Sequence, residues 1–529
     1  MLCDPAQDLH GFPIVQRRRA PWGNRAGPRR VRDVRLGEHE DPAGDADHAF
    51  IRAEADVGGG GVGLRLAAQL EERFPILIWY RIRYDCAVLL RPFPVRALLS
   101  VVSCALLIGG ACCVNAGEAR PLMRDFVGLN GHTVQFKPQL YQPVGRLVRD
   151  YHPVEWDLGR ATAELPPFPF AKNRVDWNQV YGSWRDQGWR IDACLMFESV
   201  NRTNWANLEA DARAYGQAFA REFGPSGKRQ LVEAVEIGNE PGAWSDADYR
   251  RLFRALAEGV RAGDPRVKIA TCNVTTGKSG AYEKSVECVA DHPELFDVLS
   301  VHTYAQLEGW PTWRRSFPED PKLPHYLQDV EALGHWRDAH AAGKPIWITE
   351  FGYDSSTRSP APTGDAAKWV GVTDTQQAQW LVRSLLVFSA MPVERAYIYF
   401  FNDEDQPGLH ASSGITRHFQ PKSSFHALAH LQRVLGGHRF TRIVTNEPGR
   451  LRVQEYRSDS SGPVWVVWSP TGEGKSLAAT LEHPPGKLLE AHRMPLASGA
   501  SAVSARQDAS GRIEVQVDES PVYLVFGQP

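Results

Sequence analysis

The stretch VEIGNEPGAW, Val235–Trp244, reads as a buried strand that ends on polar chemistry: an amide at Asn239, a carboxylate at Glu240 and a proline directly after. Outward from it, about Arg124 to Phe401, short apolar runs alternate with longer helix-like segments. The runs are DFVGLN, RLVRDY, WRIDACLMF, AVEIGN, VKIATCNV, FDVLSVHTY, PIWITEFG and RAYIYFFN. Between several of them lie stretches such as LEADARAYGQAFAREFG and DADYRRLFRALAEGVRAGDP, whose apolar residues recur every three and four positions, as on one face of a helix. Eight strand-like runs separated by helical ones predict an α/β chain folded as a (β/α)8 TIM barrel. The second run, RLVRDY, also fits a loop. After SSFHALAHLQRVLG the pattern changes to short alternating runs, among them RLRVQEYR, PVWVVWSP and PVYLVF, with Gly, Pro, Asp and Ser between them. That predicts a small C-terminal antiparallel β-sandwich, with the barrel over 120–435 and the sandwich over 436–529.

In such a barrel the C-terminal ends of the strands surround the active-site mouth. Glu240 ends the fourth run, and Glu350, in IWITEFGY, ends the seventh. Alone, either carboxylate could be a solvated residue or a helix cap. On strands four and seven, which face each other across the barrel, they can approach to roughly 5–5.5 Å, the spacing of a retaining glycosidase pair. One then protonates the leaving oxygen while the other attacks the anomeric carbon, so the two must titrate apart.

The motifs EIGNEP, SVHTY and WITEFG, with the barrel and the β-rich tail, resemble those of the clan A glycoside hydrolases. FVGLNGH and GLHASSGITRHFQPKSSFHAL look most like family 39 and its relatives. The resemblance covers about residues 124–529. It implies Glu240 as acid/base, Asn239 as the amide on the sugar 2-hydroxyl, Glu350 as nucleophile, and His302 and Tyr304 as the clan's His-x-Tyr, the Tyr holding the nucleophile ionised. Where many members carry a Trp platform after strand eight, this chain has Phe400, Phe401 and Asn402, and Phe401 is the substitute platform expected. Asn130 and His132 are candidates to line the mouth, and Glu198, near the end of strand three, is a subsite candidate. Asp150 and His152 could bind sugar hydroxyls or hold backbone groups.

The formal charge of −2 offers no basic footprint for nucleic acid and no strong field for a membrane. The first ~90 residues are rich in Arg, Gly, Pro and Asp without a sustained period, and read as a disordered arm or an upstream start assigned too early. Behind them, RPFPVRALLSVVSCALLIGGACCVNAGEA has the basic, apolar and small-residue regions of a signal peptide over 91–116, with a transmembrane anchor as the alternative. Export to the periplasm or medium, with no stable membrane insertion after cleavage, is the expectation. Beyond the leader only Cys194, Cys272 and Cys288 remain, too few for a disulfide framework, though a Cys272–Cys288 bridge is conceivable. No zinc spacing, Walker A, GxSxG or dinucleotide fingerprint occurs in a suitable context. The expectation is therefore an enzyme with a carbohydrate substrate, no cofactor and no metal. A transglycosylase of the same fold, or a non-catalytic carbohydrate-binding protein, remains open, as do the sugar and the oligomeric state.

Overall fold

The computed structural model describes residues 120–529 apart from 167, 500 and 529; the upstream segment 1–90 and the signal peptide 91–116 lie outside the described residues. Eight parallel strands form the barrel: β1 Val127–Gly131, β2 Leu147–Pro153, β3 Arg190–Met196, β4 Val232–Ile237, β5 Lys268–Thr275, β6 Val298–His302, β7 Ile346–Phe351 and β8 Val393–Ile398. Their hydrogen-bonded order is β4-β3-β2-β1-β8-β7-β6-β5, and β5 returns to β4, so the ring closes. Each of the eight apolar runs overlaps a barrel strand, RLVRDY included.

Six helices of ten residues or more follow β2, β3, β4, β6, β7 and β8: α1 Trp177–Asp186, α2 Leu208–Phe223, α3 Asp246–Gly263, α4 Leu327–His340, α5 Asp374–Ser389 and α6 Ser423–Leu435. Their starts are written locally. Ser245 accepts the Asp248 N–H at the head of α3, and Thr373 with Gln376 forms a reciprocal capping box on α5.

Inside the barrel, strand residues alternate between the lumen and the helix layer. Leu147, Ala234, Ala270, Val298, Trp347 and Tyr397 form a buried apolar layer at the bottom. Two residues further along their strands, Arg149 and Glu236 are also fully buried, with Asn130 paired in register to Arg149. The lumen therefore changes from apolar to charged as it rises toward the strand ends.

The C-terminal strands are β9 Arg439–Glu447, β10 Leu451–Arg457, β11 Val464–Trp468, β12 Leu477–Leu481, β13 Leu488–Arg493, β14 Ala505–Gln507, β15 Ile513–Val517 and β16 Val522–Phe526. They make two antiparallel sheets, β9-β10-β11-β16-β13 with Ser501–Ala502 at its edge, and β12-β15-β14. A shared core including Val453, Trp465, Val467, Val515 and Leu524 lies between them, and burying each such side chain is worth about 1.5–3 kcal/mol. Helix α5 ties the larger sheet to the barrel. Its Arg383 donates to the Thr471 carbonyl at 2.7 Å, and Ser389 meets the Tyr456 hydroxyl at 2.9 Å. Cys194, Cys272 and Cys288 are all free and buried, so the conceivable Cys272–Cys288 bridge is not formed.

Candidate active site

Strand β4 stops at Ile237, and Gly238 then turns the chain with φ +87°. A Cβ at this position would sit 2.6 Å from the Phe197 ring, so the turn needs glycine for space as well as for φ. Glu198, just past β3, fixes the turn from behind: its Oε1 accepts the backbone N–H groups of Asn239 at 2.7 Å and Glu240 at 3.3 Å. Burial pushes the Glu198 carboxyl up to about 7 against those two N–H groups, and its Oε2 is sealed without a partner.

Glu350 stands on β7 across the mouth. Glu240, His302 and Glu350 each bring one polar atom within 4.8 Å of the others, which puts a carboxylate oxygen of Glu240 that close to one of Glu350. The two groups differ in their surroundings. The Glu350 side chain is 7% exposed and that of Glu240 is 31% exposed. Donors converge on Glu350: the Tyr151 hydroxyl at 2.6 Å and Arg149 Nη1 at 3.2 Å on Oε1, and the Tyr304 hydroxyl at 2.8 Å on Oε2. Burial alone would raise its pKa, but His302, Arg149 and the two tyrosines outweigh burial and hold it below the ordinary Glu value. His302 bridges the pair, with Nδ1 3.1 Å from Glu240 Oε1 and 3.6 Å from Glu350 Oε2. Burial would lower the imidazole pKa, yet the two carboxylates raise it overall.

Three such groups are numerous enough for a cation. The oxygens of Glu350 already accept hydrogen bonds, however, and a guanidinium 3.2 Å away repels a second positive charge.

A family model described as Cellulase (glycosyl hydrolase family 5) matches residues 185–386, a stretch that contains both carboxylates. The chain is thus similar to glycoside hydrolases in sequence over that stretch, and in fold to the solved structures that follow. Among solved structures it is similar to a family 39 glycoside hydrolase from Bacteroides cellulosilyticus, with 17% identity over 77% of this chain and 81% of that one, TM-score 0.57. It is similar also to a glucosidase from Croceicoccus marinus, with 14% identity over 77% and 97% of the two chains, TM-score 0.54. A family 30 endoxylanase from Clostridium papyrosolvens gives 14% identity over 78% and 98%, TM-score 0.50. No curated protein sequence matches the chain.

Within the barrel, Asn239, Glu240, His302, Tyr304 and Glu350 converge at one mouth, and several other sequence candidates do not. Asn130 is fully buried below it, donating to the Thr349 carbonyl at 2.9 Å and accepting from Arg149 at 2.9 Å. Asp150 and His152 point outward from β2 into the helix layer. Asp150 accepts the Thr133 N–H at 2.7 Å and the Tyr181 hydroxyl at 2.8 Å, so of its two readings the structure gives the one that holds backbone. His152 lies between the Tyr181 hydroxyl at 2.8 Å and Asp157 at 2.6 Å, stacked on Trp177. His132, beside Asp150, is half-buried with Nδ1 sealed and partnerless. Glu198 supports the backbone of Asn239 and Glu240 through its Oε1. Phe401 is fully buried against Phe136, Tyr141, Phe400 and Phe419, so it is core; Tyr399 and Phe400 are the partly exposed rings after β8.

Arg149, Tyr151 and Glu236 were not singled out in the sequence. Arg149 meets Glu236 at 2.6 and 3.1 Å, Asn239 Oδ1 at 2.8 Å and Glu350, so one buried guanidinium ties strands β2, β4 and β7 together. The available signal was a pair of opposite charges, each in the middle of an apolar run.

Proposed function

We propose that the chain is an exported retaining β-glycoside hydrolase in which Glu350 attacks the anomeric carbon while Glu240 protonates the departing oxygen. The observation that carries this assignment is the asymmetry of the pair. Four groups stabilise charge on the enclosed Glu350, while Glu240, within 4.8 Å, stays open to solvent and leaving group. Attack forms the C1–Oε bond of a glycosyl-enzyme and breaks the bond to the aglycone, whose oxygen takes the Glu240 proton. Water then attacks C1, passes a proton to Glu240 and frees Glu350, and two inversions give net retention. The Asn239 side-chain Oδ1 is held by Arg149, which turns the amide NH2 toward the sugar and a ring hydroxyl. Substrates are β-linked oligo- or polysaccharides; the glucosidase and endoxylanase among the structural neighbours put glucosides and xylosides first in the assay.

The test uses the chain from Gly117 onward, with Glu240→Gln and Glu350→Gln, on aryl β-glycosides and β-linked polysaccharides, following released sugar and its anomeric configuration. We expect retained configuration in the wild type and a loss on the order of a thousandfold or more in Glu350→Gln. Inverted product would overturn the mechanism. A folded wild type that binds the polysaccharides without cleaving any would favour the non-catalytic alternative.

A further inference from the structure

The loop after β8 carries His410 in the left-handed region at φ +61°, and packs its half-buried ring against two tyrosines at the mouth. The ring meets Tyr304 edge-on with centroids 4.8 Å apart, and Tyr399 at 5.3 Å. Behind it lies Arg315, whose side chain is almost fully buried. Arg315 pairs with Asp354 at 3.2 Å, donates to the Gly352 carbonyl at 2.6 Å, and lies over the Tyr304 ring at 4.4 Å. Its Nη2 is 3.4 Å from His410 Nδ1.

A guanidinium only donates, so Nδ1 must be the accepting nitrogen and the ring proton must sit on Nε2. Among the described residues Nε2 has no hydrogen-bond partner, and it is not one of the sealed, partnerless polar atoms of the interior. It is therefore not fully sealed from solvent, on a ring within electrostatic reach of both Glu240 and Glu350. Burial and then Arg315 lower the pKa of this imidazole against the pull of Asp354, Glu350 and Glu240, so it is uncharged at neutral pH.

We propose that His410 is a specificity-determining residue whose Nε2–H donates to one hydroxyl oxygen of the sugar held between Glu240 and Glu350. This rests on the glycosidase reading and narrows it. An N–H donor welcomes a hydroxyl lone pair but offers nothing to the ammonium group of an amino sugar, which has no lone pair. The substrate class at this position is a glycoside that presents a hydroxyl oxygen there rather than an ammonium group.

The test compares wild type, His410→Phe and His410→Gln on the aryl β-glycoside that wild type cleaves best, and on its monodeoxy analogues. His410→Phe keeps a ring between the tyrosines without the donor; His410→Gln restores a donor. The expected result is a fall in kcat/KM of about tenfold to a hundredfold for His410→Phe on the parent sugar. That penalty should vanish on one deoxy analogue and be partly recovered by His410→Gln. An equal penalty on every analogue, or none on the parent, overturns the inference. If either variant fails to fold, 15N-histidine-labelled wild type with a thioglycoside decides instead. A ring with bare Nδ1 and protonated Nε2 that responds to ligand supports the inference; its absence overturns it. Wild type inactive on every glycoside would strike the glycosidase reading itself, whereas an active wild type with an unaffected His410→Phe strikes only this step.

Discussion

Neighbouring residues of β2 part company. Arg149 and Tyr151 point into the barrel and both touch Glu350, while Asp150 and His152, next to them in sequence, point outward and bind Tyr181. The two faces have similar polarity and comparable burial. What differs is the partner: a carboxylate at the mouth on one side, a helix and a loop on the other. A polar residue in a barrel strand therefore acts according to its face, because the two-residue period gives each face to a different layer.

The inward face should fail hardest. Arg149→Met leaves Glu236 buried without its cation, which costs about 3–5 kcal/mol of stability. It also removes a positive charge from Glu350, which should lower kcat on the order of a hundredfold. Adding Glu236→Gln separates the two effects. The double variant should regain much of the thermal midpoint while kcat stays low. If activity returns with stability, Arg149 is a structural ion-pair partner and its contact with Glu350 is incidental.

A subtler change on the same face is the loss of one hydroxyl. The hydroxyls of Tyr151 and Tyr304 help hold the Glu350 pKa below its ordinary value, so Glu350 stays ionised as pH falls past the usual Glu range. Tyr151→Phe or Tyr304→Phe should therefore move the acid limb of the kcat/KM profile upward and lower its plateau about tenfold. Stability linkage has the matching sign. A depressed folded-state pKa gives stability above the unfolded pKa that is lost as pH falls through the folded one, so the wild type should lose part of its margin there. An acid limb that stays in place in both variants would assign the depression to His302 and Arg149 alone.

How much of this was legible without coordinates follows the same division. The eight strands were readable because barrel strands are short apolar runs between helical segments. Glu240 and Glu350 were readable because they end strands, where the chain changes character. Arg149 and Glu236 sit inside such runs, where one charge reads as an interruption; only the closed ring shows that they meet. Asp150, His152 and Phe401 looked like site residues because they are polar or aromatic near strand ends. Nothing in RLVRDY says which alternate residues face the lumen until the register with β1 and β3 is known.

The outward face gives the mildest prediction and the sharpest control. Asp150→Asn keeps the shape but weakens the acceptor for the Thr133 N–H and the Tyr181 hydroxyl, and His152→Gln breaks the chain from Tyr181 to Asp157. Each should cost about 1–3 kcal/mol of stability through imperfectly satisfied buried groups, seen as a lower thermal or urea midpoint. Below the new midpoint, kcat/KM should stay within a few-fold of wild type, with the acid limb unmoved, because neither side chain touches Glu240 or Glu350. A large loss of kcat in a stably folded Asp150→Asn would mean that the Thr133 loop or α1 relays position to the mouth, and the division between the two faces of β2 would not hold.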